Sequence, residues 1–165
     1  MSFWVLVASY WVHLLATVVW LGGQTLFLFV AWPALRQQTL DNNQWLALQK
    51  RFLPWANGSL VLLLLTGFVQ MTQDPNYSGF LTIDSLWAGA ILVKHIAFGG
   101  MVLLGGYLQF SLYPALDRVK LLAEKRPQLA ADEQSALHQQ EMRLLRVNLA
   151  CAVLVLLCTA VATAV

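Results

Sequence analysis

Four long stretches of this chain carry almost no charge, and that sharply limits what it can fold into. Residues 1–35 contain no Asp, Glu, Lys or Arg, and neither do 52–73 or 147–165. The stretch 85–116 holds Lys94 alone. A helix needs about 20 apolar residues to cross a hydrocarbon core of roughly 30 Å. In lipid every backbone polar group must be bonded within its own segment, so runs of this length are helices. The expected fold class is all-α: an integral membrane four-helix bundle, a single transmembrane domain over residues 1–165. The spans are expected at 3–35 (TM1), 53–73 (TM2), 85–116 (TM3) and 146–165 (TM4), with a loop at 117–145. TM1 and TM3 exceed one crossing and should tilt or project beyond the bilayer. The first run lacks a basic leader and is too long for a cleaved signal peptide, so it is expected to persist as a span.

Composition narrows the function classes. Charged residues make up 11% of the chain, against roughly 25% in soluble domains. A formal net charge of +2 is too small to call for a nucleic-acid partner. No P-loop, GxGxxG or hydrolase triad can be assembled. The partner that the sequence requires is the lipid bilayer, and a homo-oligomer or a larger membrane complex stays open.

Basic residues set the expected orientation. The TM1–TM2 loop holds Arg36, Lys50 and Arg51. The TM2–TM3 loop, near 75–82, has only Asp74 and Asp84 among its charges. The TM3–TM4 loop holds Arg118, Lys120, Lys125, Arg126, Arg143 and Arg146. Both termini should then lie on the non-cytoplasmic side. Pro127 divides the last loop, and 132–146 is expected to extend TM4 as a charged, solvated helix. His138 reads as a solvated residue of that extension.

The chain also repeats itself. TM1 ends in Phe29-Val30-Ala31-Trp32-Pro33-Ala34-Leu35-Arg36, and TM3 in Phe110-Ser111-Leu112-Tyr113-Pro114-Ala115-Leu116-Asp117-Arg118. Both share aromatic-Pro-Ala-Leu followed by Arg. TM2 opens on Arg51-Phe52-Leu53 with Asn57 and Thr66 beyond; TM4 opens on Arg143-Leu144-Leu145 with Asn148 and Thr159 beyond. The pattern predicts a duplicated helix pair, parallel because TM1 and TM3 cross in the same sense.

An ionisable residue inside a span is a functional hypothesis by default, and three qualify: His13, Lys94 and His95. His13 precedes Arg36 by 23 residues, and His95 precedes Arg118 by 23. Two imidazoles at one depth can face each other across a gap, as a b-type haem with two axial nitrogens requires. Gly22, Gly23, Gly99, Gly100, Gly105 and Gly106 would let a flat macrocycle approach the backbone, although tight helix packing explains most such glycines. Aligning Pro33 with Pro114 instead pairs His13 with Lys94. Adjacent helix positions point about 100° apart, so only one of Lys94 and His95 faces inward. Lys94 would then hold an anionic group. The His13 face continues through Tyr10, Thr17, Trp20 and Gln24. Trp4, Trp11, Trp32, Trp45, Trp55 and Trp87 read as an interfacial belt. Cys151 and Cys158 are too far apart along TM4 for a mutual disulfide and read as apolar fillers. Met71 and Met101 are the methionines in or near the membrane, a sparse set for copper.

The run His13-Leu14-Leu15-Ala16-Thr17-Val18-Val19-Trp20-Leu21-Gly22-Gly23 resembles the first core helix of the copper-resistance D (CopD) family. Leu86-Trp87 and Leu92-Val93-Lys94 resemble that family's helix with a membrane lysine, and Arg51-Phe52 and Thr66-Gly67 fit its second helix. The pairing of a first-helix histidine with a later lysine is also similar to HemJ-type protoporphyrinogen oxidases. The resemblance implies His13 and Lys94 as functional positions, with His95 outside the pattern, and a bacterial plasma (inner) membrane location. The leading expectation is a b-type haem protein handling electrons near the outer face, an oxidoreductase if it is an enzyme. His13 and His95 would ligate haem b, with Lys94 and Gln24 as further cofactor-binding residues. One alternative is copper transport or copper resistance through His13, His95 and Met71. The other is an accessory subunit of a larger membrane complex.

Overall fold

The protein's structure, a computed structural model, describes residues 2–77, 79, 85–123 and 126–165. Asp84 and Lys125 of the charge count, and part of the 75–82 loop, lie outside the described residues. All regular structure among those described is helical. Four helices are long and apolar enough to cross a membrane: Phe3–Arg36, Asn42–Thr72, Leu86–Val119 and Gln128–Ala164. Side chains such as Phe3, Trp4, Val18, Phe29, Leu103 and Phe110 face outward, while Gln24, Gln49, Ser59, Glu141 and Asn148 are buried. That distribution suits lipid and would be untenable in water. The chain is a multi-pass membrane protein.

The first span is α1 (Phe3–Leu26), a π-turn (Phe27–Ala31) and α2 (Trp32–Arg36). A tight turn with Gln38 at φ 58 leads into α3 (Asn42–Thr72). Asp41 caps α3: its Oδ1 accepts from the backbone of Asn43 at 2.6 Å and Gln44 at 2.8 Å, and Gln44 Oε1 accepts from Asp41 N at 3.0 Å. This reciprocal box is worth about 1 kcal/mol. The third span is α4 (Leu86–Tyr107), a second π-turn (Leu108–Leu112) and α5 (Tyr113–Ala123), and α6 (Pro127–Ala164) completes the chain. The expected loop 117–145 is therefore mostly helix. Its Ala, Leu, Gln and Glu are strong helix formers, so the helix persists where hydropathy falls. His138, expected in solvent, is half-buried.

The two π-turns share one cause and one register. A proline removes a backbone N–H, and its ring collides with the carbonyl four residues back. Widening the preceding turn relieves both problems. Trp32 N–H accordingly bonds Phe27 O, and Tyr113 N–H bonds Leu108 O, each five residues back. Phe27 and Leu108, Ala31 and Leu112, and Pro33 and Pro114 all differ by 81. Burial follows the same offset: Ala16 and Ala97, Trp20 and Met101, Phe27 and Leu108, and Ala31 and Leu112 are all buried.

The chain divides into two compact units, Met1–Gly89 and Ala90–Val165. In the first, α1 packs along α3. Small residues, Ala16 and Ser59 among them, are buried and let two helices approach closely. A Cβ on Gly23 would overlap the Phe52 ring. Phe52 in turn packs on Phe27 (centroids 5.5 Å), and Trp45 meets Phe27 edge-on (5.6 Å) and Trp32 (6.1 Å). Trp45 and Trp87 are thus core residues rather than the interfacial belt expected of them, whereas Trp4, Trp11 and Trp55 are exposed. In the second unit, α5 and the π-turn before it pack on α6. Leu108, Leu112, Leu116 and Val119 are buried, as are Met142, Leu145 and Ala152 on α6.

Candidate functional site

His13 lies mid-face where α1 meets α3, and its neighbours determine its chemistry. Thr66 Oγ1 donates to the Leu62 carbonyl at 2.5 Å. A hydroxyl has one proton, so toward His13 it accepts, and His13 Nδ1–H is the donor at 2.7 Å. The lone pair of the neutral ring then resides on Nε2. Gly67 lets the ring come close: a Cβ there would lie 3.5 Å from His13 Cε1. One turn toward the N-terminus of α1 the polar ladder continues, with Ser9 Oγ donating to Thr66 O and Gln70 Nε2 to Ser9 O, both at 3.4 Å. Met71, one turn on from Gly67, is buried. Of the stripe expected around His13, Trp20 and Gln24 are buried, Thr17 bonds back to His13 O at 2.9 Å, and Tyr10 is exposed. Gln24 Oε1 has no hydrogen-bond partner among the described residues.

Lys94 and His95 belong to the second unit. His95 Nδ1 lies 2.7 Å from Ile91 O. A carbonyl only accepts, so His95 Nδ1–H is the donor here, and in a neutral ring the lone pair is then on Nε2. Lys94 stands at the head of the stripe Ala97, Met101, Leu108 and Leu112, as His13 heads Ala16, Trp20, Phe27 and Ala31. Both are half-buried.

The glycines divide. Gly23 and Gly67 meet a neighbour, whereas a Cβ on Gly22, Gly99, Gly100, Gly105 or Gly106 would enter open space. Tight packing, expected for most of the six span glycines, is seen among the described residues at Gly23 and not at the other five, while Gly67, outside that set, meets the His13 ring. Sequence reading missed the Thr66 partnership. The available signal was direction: in an antiparallel pair the N-terminal part of α1, with His13, runs beside the C-terminal part of α3, with Thr66. It also missed the full burial of Glu141, whose neighbourhood is charged and reads as solvated, and of Asn148 just inside TM4.

A family model described as "Copper resistance protein D" (CopD) matches residues 46–162, more than two thirds of the chain. The chain belongs to the CopD family. Lys94 and His95 fall inside the matched region, and His13 precedes it. No curated protein and no solved structure matches. Family membership makes this a copper-resistance-related membrane protein. The donor set of this CopD chain can be tested against copper. No group of three or more His, Cys, Asp and Glu able to hold a metal occurs among the described residues, so a closed tetrahedral cage of these ligands is not built. What the spans do hold is imidazole Nε2, buried thioethers at Met71 and Met101, and thiols at Cys151 and Cys158. These are soft or borderline donors in small numbers, which suits Cu(I) rather than hard cations. For haem, each unit brings one span histidine, so neither alone supplies two axial imidazoles.

Proposed function

We propose that this protein binds copper as the reduced cation within the bilayer and carries it between the two faces, as a copper transport or resistance protein. The observation that carries the reading is His13. Its Nδ1–H is held by a threonine whose own proton is committed elsewhere, which leaves the ring's lone pair on the nitrogen that binds metal. Met71 supplies a second soft donor on the facing helix, and His95 Nε2 a further imidazole in the second unit. The basic ends of the spans face the cytoplasm of a bacterial inner membrane, by the positive-inside rule. Copper enters this account as cargo.

The test is an anaerobic competition titration of the detergent-purified protein against a chromogenic Cu(I) chelator. His13→Ala is expected to weaken copper binding by about 100-fold or more, as loss of a metal ligand should. Thr66→Val should weaken it about 10- to 100-fold, the usual cost of removing the group that orients a ligand, and Thr66→Ser should restore it. A wild-type protein that holds no Cu(I), or a His13→Ala variant that binds as the wild type does, overturns the proposal.

Haem b is the second reading, and the shared tautomer of His13 and His95 favours it: an axial imidazole also uses the nitrogen that carries the lone pair. A visible spectrum separates the two. A Soret band with sharp reduced α and β bands, lost in His13→Ala and His95→Ala, would displace copper. Neither metal nor chromophore would shift the weight to an accessory subunit.

A further inference from the structure

Ser9 and His13 stand four residues apart on α1, and Thr66 and Gln70 four apart on α3. That spacing puts each pair on one face of its helix. Three hydrogen bonds join the two faces: His13 Nδ1–H to Thr66 Oγ1 at 2.7 Å, Ser9 Oγ to Thr66 O at 3.4 Å, and Gln70 Nε2 to Ser9 O at 3.4 Å. Thr66 is thus engaged at two points. Its hydroxyl lies between the His13 ring and Leu62 O, and its carbonyl receives Ser9. A carbonyl oxygen has two lone pairs, so Ser9 can bond it without displacing the helix's own N–H. The aromatic contacts that hold the first span on α3 lie toward the other end of the seam, at Phe27, Trp32, Trp45 and Phe52. Around His13 the facing residues are small or polar, with Gly67 under the ring. Lipid supplies no water-driven force between helices, so at this level the polar bonds set how α1 sits on α3.

We propose that Ser9 and Gln70 are positioning residues of the His13 site: they hold α1 against α3 where Thr66 receives the imidazole, and so keep Nε2 available to a metal. This rests on the copper reading and deepens it. Neither residue is a ligand; Ser9 acts through Thr66, and Gln70 through Ser9. The Thr66 hydroxyl has one proton and two neighbours that can accept it, Leu62 O and an unprotonated His13 Nδ1. With the proton on Leu62 O, Nδ1–H points at Thr66 and the lone pair is on Nε2. With the proton given to Nδ1, a neutral ring carries its own proton on Nε2, and that nitrogen is closed to metal. The relative placement of the two helices decides between these arrangements, because it sets how closely Nδ1 approaches Oγ1. Fixing the tautomer through the nitrogen that does not bind is the usual work of groups behind a histidine ligand.

The experiment uses the full-length protein in detergent with nitrogen-15 histidine. The His13 signals, assigned by their loss in His13→Ala, are read by NMR without metal, and Cu(I) affinity by anaerobic competition. The wild type is expected to show a single Nδ1–H tautomer. Ser9→Ala should turn it into a mixture and weaken Cu(I) binding about 10-fold, the low end for removing a group that orients a ligand. Ser9→Thr, which keeps the hydroxyl, should restore both. Gln70→Leu should shift both readouts in the same direction by less, and it serves as the test if Ser9→Ala does not fold. In a Thr66→Val background Ser9→Ala should weaken binding no further, since its effect runs through Thr66. An unchanged tautomer and unchanged affinity in Ser9→Ala, or losses that simply add in the double variant, would overturn the positioning role and leave the His13 reading intact. A wild type that retains no Cu(I) would overturn the copper reading, and the tautomer readout would still decide whether Ser9 and Gln70 position the ring.

Discussion

Trp45→Ala should destabilise the first unit by about 3–5 kcal/mol, the range for emptying a fully packed aromatic site. Trp45 is completely buried, although it stands only four residues after the Asp41 cap of α3. Its ring meets Phe27 edge-on at an interplanar angle of 88° and Trp32 at 61°. Each such pair adds about 0.5–1.5 kcal/mol beyond area. The lipid environment supplies no water-driven force between helices, so these contacts are what draw the π-turn of the first span onto α3. Trp55→Ala is the control. That side chain is 68% exposed, and its loss should change stability by less than about 0.5 kcal/mol. Unfolding of the detergent-solubilised protein by SDS, followed by helical circular dichroism, measures both. Equal effects at the two tryptophans would contradict the burial pattern.

Gly23→Val should cost about 2–3 kcal/mol, the penalty for overpacking a filled site. Any Cβ at Gly23 would occupy the space of the Phe52 ring tip. The ring cannot simply swing aside, because Phe27 packs on it with centroids 5.5 Å apart. Gly22→Ala, one residue earlier, meets nothing within 4 Å and should be neutral or stabilising by up to about 1 kcal/mol through helix propensity. Phe52→Leu in the Gly23→Val background should recover part of the loss, with a coupling of at least about 1 kcal/mol. Additive effects in that double-mutant cycle would mean that the two residues do not touch.

The glycine doublet shows what a sequence leaves open. Gly22 and Gly23 are indistinguishable as letters, yet they point about 100° apart on a helix. Which of them receives Phe52 depends on how α1 is rotated against α3. The tryptophans are a second case. Position near a span end suits an interfacial belt and a core anchor equally, and only the approach of Phe27 and Trp32 makes Trp45 the latter. Thr66 is the third. Its value to His13 lies in having its proton already committed to Leu62 O at 2.5 Å, a relation across two helices. By contrast, the Pro-Ala-Leu repeat was legible because proline acts locally. Inside a helix it removes a hydrogen bond to the preceding turn, and Pro33 and Pro114 are both accommodated by a π-turn at the same offset, whereas Pro54 stands within the continuous α3.

Sequence alone therefore determined the membrane setting, the four helices and the repeat, because charge-free length, backbone satisfaction in lipid and proline geometry act within a segment. Resemblance in short motifs pointed to the family that a match over residues 46–162 establishes. Tertiary structure decided which side chain His13 bonds, which glycine is filled and which tryptophans are core. Each of these depends on the rotation and depth of one helix against another, and those are set by the summed packing of both faces rather than by any residue in its own segment.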